Sequence, residues 1–239
     1  MKNTNNDVAV IIPTLNEEEN IANLIQELDQ MGYGVLVVDG NSRDRTAEIA
    51  KEFGANVIVE NQKGKGAALR RAFNGVNLDA NVVVMMDGDW SMNPSEIPRF
   101  IKALDLGADL VKGSRFLPNG YSEDMSLIRR MGNRFFLSLV NWLWSASYTD
   151  LCYGFAAFRK DAIEKLRLYL ESTNFEIETE VFIKARKLGL KVVEVPSIEL
   201  RRRHGKSNLC IFRDGFRILR TIFREFINGR RIRNGTTSR

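Results

Sequence analysis

The sequence predicts an α/β fold in which a mostly parallel central sheet is flanked by helices. Three observations predict it. Short apolar runs alternate with helix-like segments through the first half of the chain, the pattern of parallel strands joined by helical crossovers. These runs end in polar or acidic residues: Thr14 and Asn16, then Asp39, then Asp87 and Asp89. Ligands on open parallel sheets bind at that carboxyl edge. The chain has 239 residues, 44% of them hydrophobic and 27% charged, an ordinary soluble composition with enough length to bury a sizeable core.

Taken in order, "VAVIIPTLNEEENI" reads as a buried strand, a Pro-containing turn and an acidic helix start at Asn16 to Glu19. "GVLVVDGNSRDRTAEIAKEFG" repeats the scheme, with a strand over Val35–Val38 and a helix ending near Gly54. "NVIVEN" is a third strand, "KGKGAALRRAFNGV" a glycine-rich loop opening a helix, and "NVVVMMDGD" a fourth strand. In the second half "ADLVKGSRF" reads as a strand and loop. "FFLSLVNWLW" reads as a core helix, since about ten apolar-rich residues are typical of a buried helix rather than a membrane span. "TNFEIETEVFIKARKLGL" is helical, and "KVVEVPSIELRRRHG" is a strand entering a basic loop. "CIFRDGFRILRTIFREFI" places Phe212, Phe216, Leu219, Phe223 and Phe226 on one helical stripe and Arg213, Arg217, Arg220 and Arg224 on another, the pattern of an interfacial helix on anionic lipid, with a solvated face packed on the domain or on a partner subunit as the competing reading.

Composition narrows the chemistry. Cys152 and Cys210 are the two cysteines, with no CxxC and no Cys/His cluster, so there is neither a disulfide framework nor a zinc site, and a reducing compartment fits. His204 is the single histidine, so any Ser-His-Asp mechanism would have to use it; set among arginines, it reads as a phosphate-side residue. No apolar run reaches the ~18 residues of a spanning helix, and "MKNTNNDVAV" has no signal-peptide pattern, so a cytoplasmic location or the cytoplasmic face of a membrane is expected. Residues 197–239 hold twelve Lys/Arg against three Asp/Glu, although the whole chain carries only +5. That basic end implies an anionic partner: phospholipid, a phosphorylated substrate or nucleic acid. The basic residues lack the aromatic interleaving of RNA-binding patterns, so nucleic acid is not expected.

Asp87 and Asp89 flank Gly88 at the end of a buried-looking strand, where repulsion and desolvation both disfavour two like charges unless a cation joins them. Hard oxygen ligands in that arrangement suit Mg²⁺ or Mn²⁺, which shares its shell with substrate phosphates, and Gly88 permits the sharp turn. Lys63 and Lys65 flank Gly64 at a helix start and offer backbone N–H groups and a cation to an anion, although no Walker sequence is present. Asp39 and Asp44 of "DGNSRDRT" can accept hydrogen bonds from a base or a ribose; a turn plus an N-cap is the competing role.

"VIIPTLNEEENI", "VVDGNSRDRT", "KGKGAALRRA", "MMDGDWSMNP", "KGSRF" and "VPSIELRRRHGKSN" occur in the order seen in glycosyltransferase family 2. From about Val8 to Asn208 the chain resembles the dolichyl- and polyprenyl-phosphate sugar synthase branch. The resemblance implies a GT-A, Rossmann-like fold. A transferase domain would cover residues 1–208, with a nucleotide-sugar half over about 1–118 and an acceptor half over about 119–208. Residues 209–239 would form a basic amphipathic helix and tail. Carried over by position, Pro13, Thr14, Glu17 and Asp39 contact the nucleoside, with Asp44 and Lys65 near the nucleotide. Asp87 and Asp89, with Gly88 between them, hold the metal that bridges the diphosphate. Arg115 faces phosphate, and Arg202 reaches the donor or acceptor phosphates beside Ser207. The chain departs from the branch at Asn208, where a Lys is usual, and at Trp90, where a Gln is usual.

The resemblance also implies an inverting displacement, with the metal, Lys65 and Arg202 stabilising the departing nucleoside diphosphate. The donor would be a GDP- or UDP-sugar and the acceptor a polyprenyl or dolichyl phosphate. A hydroxyl acceptor needs a general base, whereas a lipid phosphate is already anionic. Asp150 ranks first as that base, ahead of Glu176, Glu178 and Glu180; pairing with an arginine is the competing role for Asp150. The competing functions are a family 2 transferase with a hydroxyl acceptor, a nucleotidyltransferase and a nucleic-acid-binding protein.

Overall fold

The computed structural model describes residues 7–75, 80–205 and 209–235. In chain order the elements are β1 (Val8–Thr14), α1 (Ile21–Gln30), β2 (Gly34–Asp39), α2 (Thr46–Glu52), β3 (Asn56–Val59), α3 (Lys65–Gly75), β4 (Val82–Met85), α4 (Ile97–Asp105), β5 (Leu110–Ser114), β6 (Tyr121–Ser122), α5 (Leu127–Trp144), β7 (Ala156–Arg159), α6 (Lys160–Leu166), α7 (Ile177–Lys187), β8 (Val192–Pro196), β9 (Ile198–Glu199) and α8 (Ile211–Gly235).

A seven-stranded sheet runs β3-β2-β1-β4-β7-β5-β8. Every pairing in it is parallel except those of β7, which lies antiparallel between β4 and β5. The apolar runs form central strands because both of their faces are covered. Along β1, Val8, Val10 and Ile12 enter one core with Ile21, Leu24 and Leu28 of α1 and Phe100 of α4. Ile11 enters the opposite core with Leu69 and Phe73 of α3, Val181 of α7 and Ile222 of α8. Continuous apolar sequence is what a strand buried on both faces requires. The register Thr14↔Asp39 across β1 and β2, with Ile11↔Met85 across β1 and β4, brings three carboxyl ends to one edge.

Three expectations need correction. The acidic run of residues 17–19 precedes the first helix, which begins at Ile21, and this leaves Glu17 free to turn toward the sheet edge. β7, a short "AAFR" strand, was not anticipated: its small residues carry little pattern, yet it passes between β4 and β5. The segment read as a core helix is one on a single face only: Val140 is buried, and Phe136, Leu137, Leu139, Leu143 and Trp144 pack against the core. α5 buries only Asn133 and Val140 fully, while Leu127, Ile128, Met131, Phe135 and Trp142 are exposed. Ser126 caps its start by accepting from the Arg129 N–H, and Ser145 ends it in the left-handed region. Its apolar residues lie on more than one face, and α7 and α8 cover only one of them.

Candidate active site

A cleft of about 740 Å³ opens at the carboxyl edge of the sheet, within the usual range for a small-molecule site. Pro13, Thr14 and Glu17 line it from the end of β1, and Asp87, Gly88 and Asp89 from the end of β4. Lys65 enters from the start of α3 and Arg202 from the loop after β9. These eight sequence candidates meet in one cavity.

The charges in the cleft are interleaved. Lys65 Nζ lies 2.5 Å from Asp87 Oδ1 and 2.6 Å from Glu178 Oε1. Arg202 reaches Glu17 at 2.9 Å and Asp89 at 2.7 Å. Burial alone would lower Lys65, but Asp87 and Glu178 outweigh it and hold the ammonium above its ordinary value. Burial raises the Asp87 carboxyl, Lys65 pulls it down, and Asp89 and Glu178 push it up again, so the net shift is upward. Glu17 is also raised, by burial, against the pull of Asn20 and Arg202. Gly154 is where the backbone must come close: a Cβ there would sit 2.6 Å from Glu178 Oε1 and 2.7 Å from Lys65 Nζ. Gly64, with φ +113°, and Gly66 press against the 172–174 backbone in the same way, and this fixes the start of α3.

The other candidates lie elsewhere. Asp39 is buried and accepts from Thr14 Oγ1 and from both the N–H and the hydroxyl of Ser42, so it shapes the turn whose Gly40 and Asn41 line the cleft. Asp44 accepts from the N–H groups of Thr46 and Glu18, joining the two loops at the start of α2. Arg115 and Asp150 require a larger correction. Rather than facing phosphate, Arg115 is 4% exposed and donates to both oxygens of Asp150, to Glu199 and to the Cys152 carbonyl. Asp150, the leading candidate base, has no exposed surface; its pairing with Arg115 is the competing role. Glu176 and Glu180 cap the 171–174 loop, and of the three acids in "FEIETE" only Glu178 lines the cleft. Ser207 lies outside the described residues.

Sequence reasoning missed Arg129 and assigned Arg213 only to the lipid-side stripe, yet both line the cleft together with the apolar Leu209 and Ile218. Arg129 lies 3.5 Å from Asp124 and 3.8 Å from Glu199. Nothing in "SLIRRMGNRF" distinguishes Arg129 from its neighbour Arg130; only the helix start at Leu127 does.

The model of glycosyl transferase family 2 matches residues 9–167. The chain belongs to this family. A glycosyltransferase, AglJ, of Haloferax volcanii is 34% identical over 91% of this chain and 71% of its own. A dolichyl-phosphate hexose transferase of the same organism is 33% identical over 92% of this chain and 93% of its own. Among solved structures, glucosyl-3-phosphoglycerate synthase of Mycobacterium tuberculosis, crystallised with Mn²⁺, UDP and its product, superposes with a TM-score of 0.72 at 22% identity, over 91% of this chain and 79% of that one. The fold of this family 2 member is accordingly GT-A, and the protein is a glycosyltransferase. No helix among its described residues is long and apolar enough to cross a membrane.

Proposed function

We propose that this protein transfers a hexose from a GDP- or UDP-sugar to a polyprenyl phosphate with inversion at the anomeric carbon. One observation carries the reading. The cleft that gathers Asp87, Asp89, Lys65 and Arg202 is also lined by Arg129 and Arg213 beside the apolar Leu209 and Ile218, as an acceptor that joins a phosphate to a hydrocarbon chain requires. The sealing of Asp150 against Arg115 supports the same acceptor, because an anionic phosphate attacks without a base. The donor half covers about residues 1–118 and the acceptor half about 119–208.

The donor set fits Mg²⁺ or Mn²⁺. Asp87 and Asp89 offer hard carboxylate oxygens at one edge and would hold the cation, which would share its shell with diphosphate and water oxygens. When bound, the cation neutralises charge on the departing nucleoside diphosphate. Lys65 and Arg202 orient the diphosphate and stabilise the same charge, with Glu178 and Glu17 holding the two side chains in place. An acceptor phosphate oxygen forms the new bond to the anomeric carbon while the bond to the donor's β-phosphate oxygen breaks, and the nucleoside diphosphate leaves with that electron pair.

The same reading places the protein peripherally on the cytoplasmic face of a membrane. α8 exposes Phe212, Phe216 and Phe223, and α5 exposes Leu127 and Trp142. α5 contains no acidic residue, and both acids of α8, Asp214 and Glu225, are buried. Apolar, acid-free faces rich in arginine complement anionic lipid, each basic residue near the surface contributing about 1 kcal/mol. The test is incubation with Mn²⁺, UDP- or GDP-sugars and dolichyl or undecaprenyl phosphate. Solvent-extractable sugar-lipid with matching release of nucleoside diphosphate is expected. Transfer only to a water-soluble hydroxyl acceptor, or release of pyrophosphate, would overturn the reading.

A further inference from the structure

Trp90 follows Asp89 directly and has φ +66°, a backbone region that a bulky residue occupies only when its surroundings hold it there. The ring is buried in the core that includes α1 and α4. Its Nε1 donates to the Asn20 carbonyl at 3.0 Å. On the ring face lies the guanidinium of Arg203, its Cζ 3.9 Å from the ring centroid. A planar guanidinium stacks on an indole in a way that an ammonium does not reproduce.

The basic loop is tied down on both sides of that stack. The Leu200 N–H donates to the Ser91 carbonyl at 2.9 Å, and the Arg203 N–H to the Asp89 carbonyl at 3.4 Å. Asn20 Nδ2 donates both to the His204 carbonyl at 3.3 Å and to Glu17 at 2.7 Å. Arg202 therefore projects from a segment whose neighbours are fixed to the turn carrying Asp89. We propose that Trp90 and Arg203 form a latch that holds this loop and positions Arg202 over the Asp87–Asp89 edge. Both are positioning residues, acting through Arg202. The proposal rests on the transferase reading in one respect, that Arg202 faces the donor diphosphate.

The experiment uses ¹⁵N-tryptophan labelling, which gives three indole signals, for Trp90, Trp142 and Trp144. Arg203→Met removes the cation and keeps the stem, and the exposed position leaves the melting temperature unchanged. The Trp90 signal shifts while the other two stay. The Kd for UDP or GDP with Mn²⁺ rises on the order of 3- to 10-fold. Arg203→Lys stays near the Arg203→Met level, and Trp90→Phe, which keeps a ring face without the donor, retains most of the affinity. Arg201→Met removes the same charge from the same loop and changes neither readout. In an Arg202→Met background, adding Arg203→Met has almost no further effect on Kd. An unmoved Trp90 signal in Arg203→Met overturns the latch whether or not nucleotide binds. A full additional loss in the Arg202→Met background shows that Arg203 acts as an independent cation, and overturns the positioning role. A shifted Trp90 signal in a protein that binds neither nucleotide overturns the donor-site reading and the positioning role with it.

Discussion

Asp150→Asn removes a negative charge that accepts three hydrogen bonds from Arg115, at 3.2, 2.7 and 2.9 Å. Asp150 is 0% exposed and Arg115 4%, so no water replaces what is lost. Breaking one side of such a buried pair costs about 3–5 kcal/mol. Arg115 keeps Glu199 at 3.0 Å and the Cys152 carbonyl at 2.8 Å, which puts the expected loss at the lower end, about 3 kcal/mol. For a chain of this size that lowers the melting temperature by roughly 6–12 °C. The assays are denaturant unfolding and sugar transfer measured on the folded fraction. The pH dependence gives a second check. Burial alone would raise the Asp150 carboxyl, but Arg115 and Lys112 outweigh it and hold it below its ordinary value of 3.8. Its contribution is therefore present above the unfolded-state value and is lost as pH falls through the folded-state value. The gap between wild type and Asp150→Asn is full at about pH 5 and closes in more acidic solution. The rate per folded molecule stays near that of wild type, because the carboxylate removes no proton. A variant within about 0.5 kcal/mol of wild-type stability whose turnover falls on the order of 10²–10⁴-fold would refute this reasoning and restore Asp150 as a base.

Asp87→Ala and Asp89→Ala each abolish transfer while circular dichroism and melting stay near wild type; activity persisting in EDTA with an intact Asp89→Ala protein would contradict the metal role. Gly154→Ala pushes a methyl into the Lys65–Glu178 contact and lowers kcat/KM on the order of 10–100-fold, as read by donor titration. Unchanged kinetics would show that Lys65 does not need that geometry. Phe212→Ser with Phe216→Ser leaves the fold intact, since both rings are exposed, yet weakens sedimentation with anionic vesicles at least about tenfold. Equal binding by the double variant would remove α8 from the membrane face.

The polar edge of the sheet was legible because a strand buried on both faces writes itself as an apolar run, and a cleft at its end interrupts that run with polar residues. Thr14, Asp87 and Asp89 announce themselves in this way. The Arg115–Asp150 pair does not, because two residues 35 apart meet only through strand β7 and the loop before it, and "AAFR" is too short and too small to signal a reversed strand. The exposed face of α5 was hidden for a related reason. An apolar-rich helix of ordinary length looks the same whether its second face meets other helices or lies exposed, and only its neighbours decide. Trp90 carried a local signal, a departure from the usual residue of the family branch, but its partner Arg203 is distant in sequence and the stack is a tertiary event.

α7 has a consequence for how the two ends of the protein communicate. Glu178 in its first turn grips Lys65 at the donor edge, while Lys184 and Lys187 near its far end both bond the buried Glu225 of α8. A single rod about 16 Å long thus spans the distance between the cleft and the outer helix. Its two ends are fastened by charge pairs rather than by exchangeable apolar contacts alone. The contacts of α8 thus lie one helix away from Lys65. Lys187→Met, far from any substrate, should register as a change in nucleotide affinity.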